Sequence, residues 1–68
     1  MNATRDELRK AYRAGKASWR TDVDSDVAVA RWITRHATPA TEWALTNAWY
    51  DGFEWGCHDD RPAYMERS

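Results

Sequence analysis

The chain has 68 residues, of which 43% are hydrophobic, and a formal net charge of −1. This length predicts a single domain, residues 1–68, whose own core rarely contributes more than about 3–5 kcal/mol of net stability. Its one cysteine, Cys57, excludes an intramolecular disulfide, and no Cys/His spacing typical of structural zinc is present. No apolar leader precedes Arg5, and no uncharged run approaches the roughly 20 residues of a membrane span. The sequence therefore predicts a cytoplasmic protein with no membrane partner.

Charges and aromatic residues are both distributed in a way that favours association. Residues 1–35 hold eight Lys/Arg and five Asp/Glu, whereas residues 36–68 hold two and six. The chain also contains five Trp, three Tyr and one Phe, each able to bury about 150–250 Å². Part of this area closes the core, which leaves the remainder for a partner or a second copy. We predict a homo-oligomer, for which an isologous dimer is the commonest arrangement.

The first helix is predicted over residues 4–19. Thr4 and Glu7 have the spacing of a capping box, in which each side chain satisfies a free backbone amide at the helix start. Apolar residues then recur at helical spacing as far as Trp19. Beside them runs a cationic strip, here called the basic edge, which spans about 80° of the helix circumference. The basic edge consists of Arg5, Arg9, Arg13, Lys16 and Arg20.

The second helix is predicted over residues 23–37, after a linker rich in capping residues. Asp22, Asp24 and Asp26 alternate like calcium ligands, but the glycine and the distal glutamate of an EF-hand are missing, which favours capping. Residues 27–33 alternate in a way that also suits a strand. We favour a helix, because a lone strand between two helices has no pairing partner unless another subunit supplies one. Only a narrow stripe along the surface of this helix is polar, so the sequence predicts that the second helix is the most buried of the three.

The third helix is predicted over residues 39–55. Thr38 is a typical cap, and Pro39 at the first helical position loses no hydrogen bond that the helix would have used. Leu45, Trp49 and Phe53 lie on its predicted core stripe, with Gly56 as a C-cap. Residues 57–68 lack periodicity and predict an irregular tail that can lay Tyr64 and Met65 on the bundle.

Small residues recur at four-residue spacing on the first and third helices. An offset of 37 positions relates the two segments, so that Ala11 corresponds to Ala48 and Gly15 to Gly52. Residues at i and i+4 share a helix face, so such a ridge lets a second helix approach closely. The fold class predicted is all-α, a compact three-helix bundle with close packing between helices one and three. Duplication, chance and shared packing demand all remain open as explanations of the echo.

Residue types that carry chemistry are present, but their spacing does not predict catalysis. Residues 57–60 read Cys-His-Asp-Asp, yet neighbours just past a helix end seldom converge on one metal ion without further ligands. A nucleophile pair of Cys57 and His36 would need an orienting group and an oxyanion hole, for which the sequence gives no sign. No phosphate-binding loop, dinucleotide fingerprint or hydrolase elbow occurs. The sequence predicts a protein that is not an enzyme and has no cofactor or metal.

Two kinds of binding surface remain. Arginine at helical spacing suits phosphates, so the basic edge makes nucleic acid a possible partner. The helix that would enter the groove carries Glu42, Asp51 and Glu54 and no basic residue, so a major groove would repel it. This places a nucleic-acid-binding regulator second.

The aromatic surplus favours a protein partner instead. With Leu45, Trp49 and Phe53 pointing inward, Trp43 and Tyr50 are predicted to lie on a face that the core stripe leaves free. Trp, Tyr and Arg carry much of the binding energy at protein interfaces. We therefore predict that these two residues, together with Trp32, contact a partner protein. The alternative without a binding role is that so small a protein uses every aromatic side chain for its core.

The segments 11–15, Ala-Tyr-Arg-Ala-Gly, and 48–56, Ala-Trp-Tyr-Asp-Gly-Phe-Glu-Trp-Gly, carry a family resemblance. Together they cover about 14 residues and resemble the aromatic-x-x-Gly helices of small accessory proteins encoded by actinobacterial phages. The resemblance implies a binding protein active in the host cytoplasm, which binds and modulates a host protein and has no catalytic residue. A structural subunit of a phage particle ranks third, after the nucleic-acid-binding regulator.

Overall fold

The structure is a computed structural model that describes residues 3–19, 24–55 and 62–65. It consists of three α-helices, α1 (Arg5–Ser18), α2 (Ser25–His36) and α3 (Glu42–Trp55), followed by a short 3₁₀ turn at Ala63–Met65. The all-α prediction is confirmed, and α2 covers the segment for which a strand was the alternative. Each predicted helix begins one to three residues before the observed one.

Side-chain caps determine where α1 and α2 begin. Thr4 and Glu7 form the predicted capping box: the Glu7 amide donates to Thr4 Oγ1 at 3.2 Å, and the Thr4 amide donates to Glu7 Oε1 at 3.0 Å. At α2, Asp24 is the N-cap, and its carboxylate accepts from the Asp26 amide at 3.2 Å. Asp24 therefore serves as a cap, as the capping interpretation of the linker predicted.

The start of α3 is a hydrogen-bonded turn built on Thr38. The amides of Thr41 and Glu42 both donate to the Thr38 carbonyl, at 3.0 and 2.9 Å. The Thr38 amide donates in return to Thr41 Oγ1 at 3.0 Å, and Thr41 is buried. The predicted start at Pro39 therefore lies within this turn, and the regular helix follows from Glu42.

Helices α1 and α3 form the closest contact of the fold, through their glycines. A Cβ atom added to Gly15 would lie 1.8 Å from the carbonyl oxygen of Trp49, and one added to Gly52 would lie 1.9 Å from that of Tyr12. No side chain fits at either position, so the backbones themselves are in contact. Ala11 and Ala48, the alanines of the same ridge, are also buried. The predicted close packing is confirmed, and it is reciprocal between positions related by the 37-residue offset.

The core lies between α1 and α3, and α2 covers it only in part. Trp49 and Leu45, each 1% exposed, form its centre. The Trp49 ring stacks on that of Phe53, with 5.4 Å between the ring centroids and 11° between the ring planes. Val29 is the only buried residue of α2, and Val27 is 44% exposed. The prediction that the second helix is the most buried is wrong, because it has no glycine ridge to bring its backbone against its neighbours.

Tyr64 packs the 3₁₀ turn against both α1 and α3. Its hydroxyl donates to Asp51 Oδ2 on α3 at 3.1 Å, and its ring meets that of Tyr12 on α1 edge to face at 6.2 Å. Burial, with the charge of Asp51, raises the pKa of the Tyr64 hydroxyl above its ordinary value. The predicted contact of Tyr64 with the bundle is confirmed, and residues 63–65 of the predicted irregular tail form a turn. Residues 57–61 and 66–68 of that tail lie outside the described residues, as does the predicted C-cap Gly56.

Candidate interaction surface

Trp43, in the first turn of α3, is the most exposed large apolar side chain that the structure describes. It is 81% exposed, compared with 48% for Trp55 and 41% for Trp19. Glu42 beside it is exposed, and so is Asn47, one turn further along the same face. The prediction that Trp43 lies outside the core is confirmed. The helix turn that carries this indole is fixed by the hydrogen bonds of the Thr38 turn.

Tyr50 lies two turns beyond Trp43 but is tied into the fold. Its hydroxyl donates to Asp26 Oδ1 at 2.9 Å, and its ring packs edge to face on Trp49 at 5.4 Å. The hydrogen bond to Asp26, followed by burial, raises the pKa of the Tyr50 hydroxyl. Tyr50 therefore joins α3 to the first turn of α2, and the prediction that the core leaves it free is wrong. A contact with a partner through its half-exposed edge remains a prediction.

Trp32, the third predicted anchor, lies on α2 and packs against the core. Its ring lies 4.6 Å from that of His36, at an angle of 30°. It lines a cavity that also includes Arg31 and Arg35. Within the described parts of the chain, no ring contact joins Trp32 or Tyr50 to Trp43. The three predicted anchors thus have separate surroundings, and Trp43 is the most exposed of them.

The 3₁₀ turn contacts the first two residues of the basic edge of α1. Arg9 Nε donates to the Tyr64 carbonyl at 2.7 Å, and Arg5 Nε donates to the same oxygen at 3.3 Å. Arg13 and Lys16 are exposed on the following turns, while Arg20 lies outside the described residues. Two of the five predicted phosphate-contact residues therefore already donate hydrogen bonds to the 3₁₀ turn.

Sequence reasoning missed two features of this surface. The engagement of Arg5 and Arg9 depends on a residue 55 or more positions away in sequence, and no local pattern announces it. The cavity beside Arg31 and Arg35 has a weak sequence signal, namely two arginines at i, i+4 flanking Trp32. From the sequence alone, these two arginines are part of the solvent-facing polar stripe of the second helix.

Neither a metal centre nor a membrane helix is found in residues 3–19, 24–55 and 62–65. No three His, Cys, Asp or Glu side chains converge there as metal ligands would. The predicted Cys57 to Asp60 cluster and Asp22 fall outside these ranges. None of the described helices combines the length and the apolar character needed to cross a bilayer.

Comparison of the chain with protein-family models, with curated proteins and with solved structures found no match. No known activity is therefore transferred to the chain by similarity, and each functional role below is assigned from side chains and their surroundings.

Proposed function

We propose that the protein is a non-enzymatic protein-binding module whose principal anchor is Trp43. The observation that carries the proposal is the 81% exposure of this indole, which the core of the protein does not use. Covering the 81% of this side chain that is exposed, out of about 200 Å², releases roughly 4 kcal/mol at about 25 cal/mol/Å², before the entropic costs of association. Truncation of such an anchor typically weakens binding by about 2 kcal/mol or more.

The charges around Trp43 indicate what kind of partner surface it fits. Glu42 and Glu54 are exposed on α3, and the helix has no basic residue. Glu42 lies directly beside Trp43, and Glu54 lies about 16 Å further along the same acidic helix. An aromatic anchor on an acidic helix fits an apolar pocket with a basic rim, because charge complementarity at the rim selects the partner and speeds the encounter. The resemblance to accessory proteins of actinobacterial phages supports a bacterial host protein as that partner and the host cytoplasm as the place of action.

The two alternatives receive less support from the surface. A nucleic-acid-binding regulator would use the basic edge, but Arg5 and Arg9 are engaged with Tyr64. The acidic α3 beside it would be repelled by phosphates. A structural subunit of a phage particle would use Trp43 to contact neighbouring copies, so it makes the distinct prediction of a self-complementary surface.

The experiment compares Trp43→Ala with Trp55→Ala as matched control. Both variants remove one exposed tryptophan from α3, and at about 100° per residue the two positions point about 120° apart. Tagged wild type and variants are mixed with lysate of an actinobacterial host, with and without nuclease treatment, and captured proteins are identified. We expect a protein captured by wild type and Trp55→Ala and lost with Trp43→Ala, while both variants melt within a few degrees of wild type.

Other outcomes of this experiment contradict the proposal. Capture that Trp43→Ala leaves intact would show that the indole is not the anchor. Capture that disappears on nuclease treatment would favour the nucleic-acid-binding alternative. Unfolding of Trp43→Ala would mean that the exposed indole contributes to the core.

A further inference from the structure

A cavity of about 320 Å³ opens between the end of α1, one side of α2 and the middle of α3. Of the described residues that line it, Ser18 belongs to α1, Trp49 belongs to α3, and the others belong to α2. The volume lies at the lower end of the range for small-molecule sites.

The charged residues of the described part of the chain that line this cavity are both arginines. Arg31 and Arg35 stand one helical turn apart, about 5–6 Å between their Cβ atoms, and both are exposed. Among residues 3–19, 24–55 and 62–65, no carboxylate lines the cavity. Within the described residues, neither guanidinium has a hydrogen bond or ion pair. Two guanidinium groups at this spacing can donate together to the oxygens of one phosphate.

The rest of the lining is aromatic. The Trp32 ring lies 4.6 Å from the His36 ring at 30°, and Trp49 lies behind them in the core. The Trp32 ring is only half-buried, so part of it is open to the cavity. An indole face held in place by a neighbouring ring is a stacking platform for a planar base, and such stacking is worth about 1–3 kcal/mol per base where it has been measured.

We propose that this cavity binds a nucleoside monophosphate, with the phosphate between Arg31 and Arg35 and the base on Trp32. The pairing of a dianion site with a stacking face, in a space sized for one small molecule, selects a mononucleotide over a bare oxyanion or an apolar ligand. An acidic peptide would use the arginines but not the ring. The site shares no residue with Trp43 or its charged neighbours, so it goes beyond the proposed function and can fail independently of it.

The test uses the full chain with adenosine 5′-monophosphate, adenosine and inorganic phosphate as probes. Binding is followed in ¹H–¹⁵N spectra through the indole N–H peaks of the five tryptophans. The Trp32 peak is assigned as the one missing from Trp32→Phe. We expect the nucleotide to shift the Trp32 peak and leave that of Trp43 in place. Adenosine and phosphate should each bind at least about tenfold more weakly, since each makes half of the contacts.

The variant Arg31→Gln/Arg35→Gln should weaken nucleotide binding by at least about tenfold, and its exposed positions make unfolding an unimportant risk. Arg13→Gln, which removes an exposed arginine from α1, is the matched control and should bind like wild type. Equal binding of phosphate and nucleotide would overturn the role of Trp32. Equal binding by the double variant and wild type, or a nucleotide that leaves the Trp32 peak unmoved, would overturn the site.

Discussion

Replacing Gly52 by alanine tests the contact on which the fold depends. The new Cβ would lie 1.9 Å from the Tyr12 carbonyl oxygen, about 1.5 Å short of the 3.4 Å at which ordinary contact begins. The obstacle is backbone within a helix, so it cannot rotate away as a side chain would. Helices α1 and α3 must therefore move apart, which loosens the packing around Trp49 and Leu45.

Two opposing terms decide the size of this effect. Alanine is favoured over glycine inside a helix by about 0.5–1 kcal/mol. Forcing extra volume into a packed core costs typically 1–3 kcal/mol, and a backbone clash lies at the upper end of that range. We expect a net loss of about 1–2 kcal/mol, a large part of the roughly 3–5 kcal/mol available to so small a core. The melting temperature should fall by roughly 4–8 °C for each kcal/mol.

The assay is thermal and urea unfolding followed by circular dichroism. Gly15→Ala should behave like Gly52→Ala because its Cβ meets the Trp49 carbonyl in the same way, and Gly52→Leu should be worse than either. Asn47→Ala, an exposed position on the same helix, is the control and should melt at or slightly above the wild-type temperature. A Gly52→Ala protein that melts above wild type would refute the close-packing argument.

The remaining predictions concern pH, salt and self-association. The Tyr64 hydroxyl has a pKa raised above the unfolded value near 10, so its contribution to stability is complete below about pH 10 and is lost as the pH rises further, by at most about 1.4 kcal/mol per pH unit. In urea melts between pH 9 and 11, Tyr64→Phe should therefore lose less unfolding free energy than wild type. An equal loss in both proteins would contradict the role assigned to Tyr64. Binding of duplex DNA in fluorescence anisotropy should be absent at physiological ionic strength, and a sub-micromolar complex lost in Arg13→Glu/Lys16→Glu would favour the nucleic-acid alternative. Light scattering at tens of micromolar protein should give twice the 7.9 kDa chain mass; a monomer mass would count against self-association.

The sequence predicted those parts of the fold that depend on local chemistry. The capping box at Thr4 and the glycines at 15 and 52 each act through neighbours within a turn or through the absence of a side chain. The predicted helix start at Thr38-Pro39 is three residues early, because these residues form a turn before Glu42. The 37-residue echo also has a physical reason in the structure, because Gly15 packs on Trp49 and Gly52 on Tyr12. Shared packing demand is enough to account for it.

The sequence did not predict features that depend on which helix lies beside which. Periodicity placed Tyr50 outside the core stripe, but its partner Asp26 is on another helix. The burial of α2 was overestimated because an apolar helix is buried only if its neighbours leave room for it, and the glycine contact draws α1 and α3 together. Arg9 was assigned to an open surface because its acceptor, the Tyr64 carbonyl, belongs to a short turn far along the chain. These are properties of the assembled bundle.

The most direct test of the proposed function is photo-crosslinking from position 43. A photoreactive phenylalanine analogue is placed at Trp43 or, as control, at Trp55, and the protein is expressed and irradiated in an actinobacterial host. We expect a discrete crosslinked product with one host protein from position 43, insensitive to nuclease and absent from position 55. Crosslinks only between copies of the chain, or equal products from both positions, would contradict the claim that Trp43 anchors a partner protein.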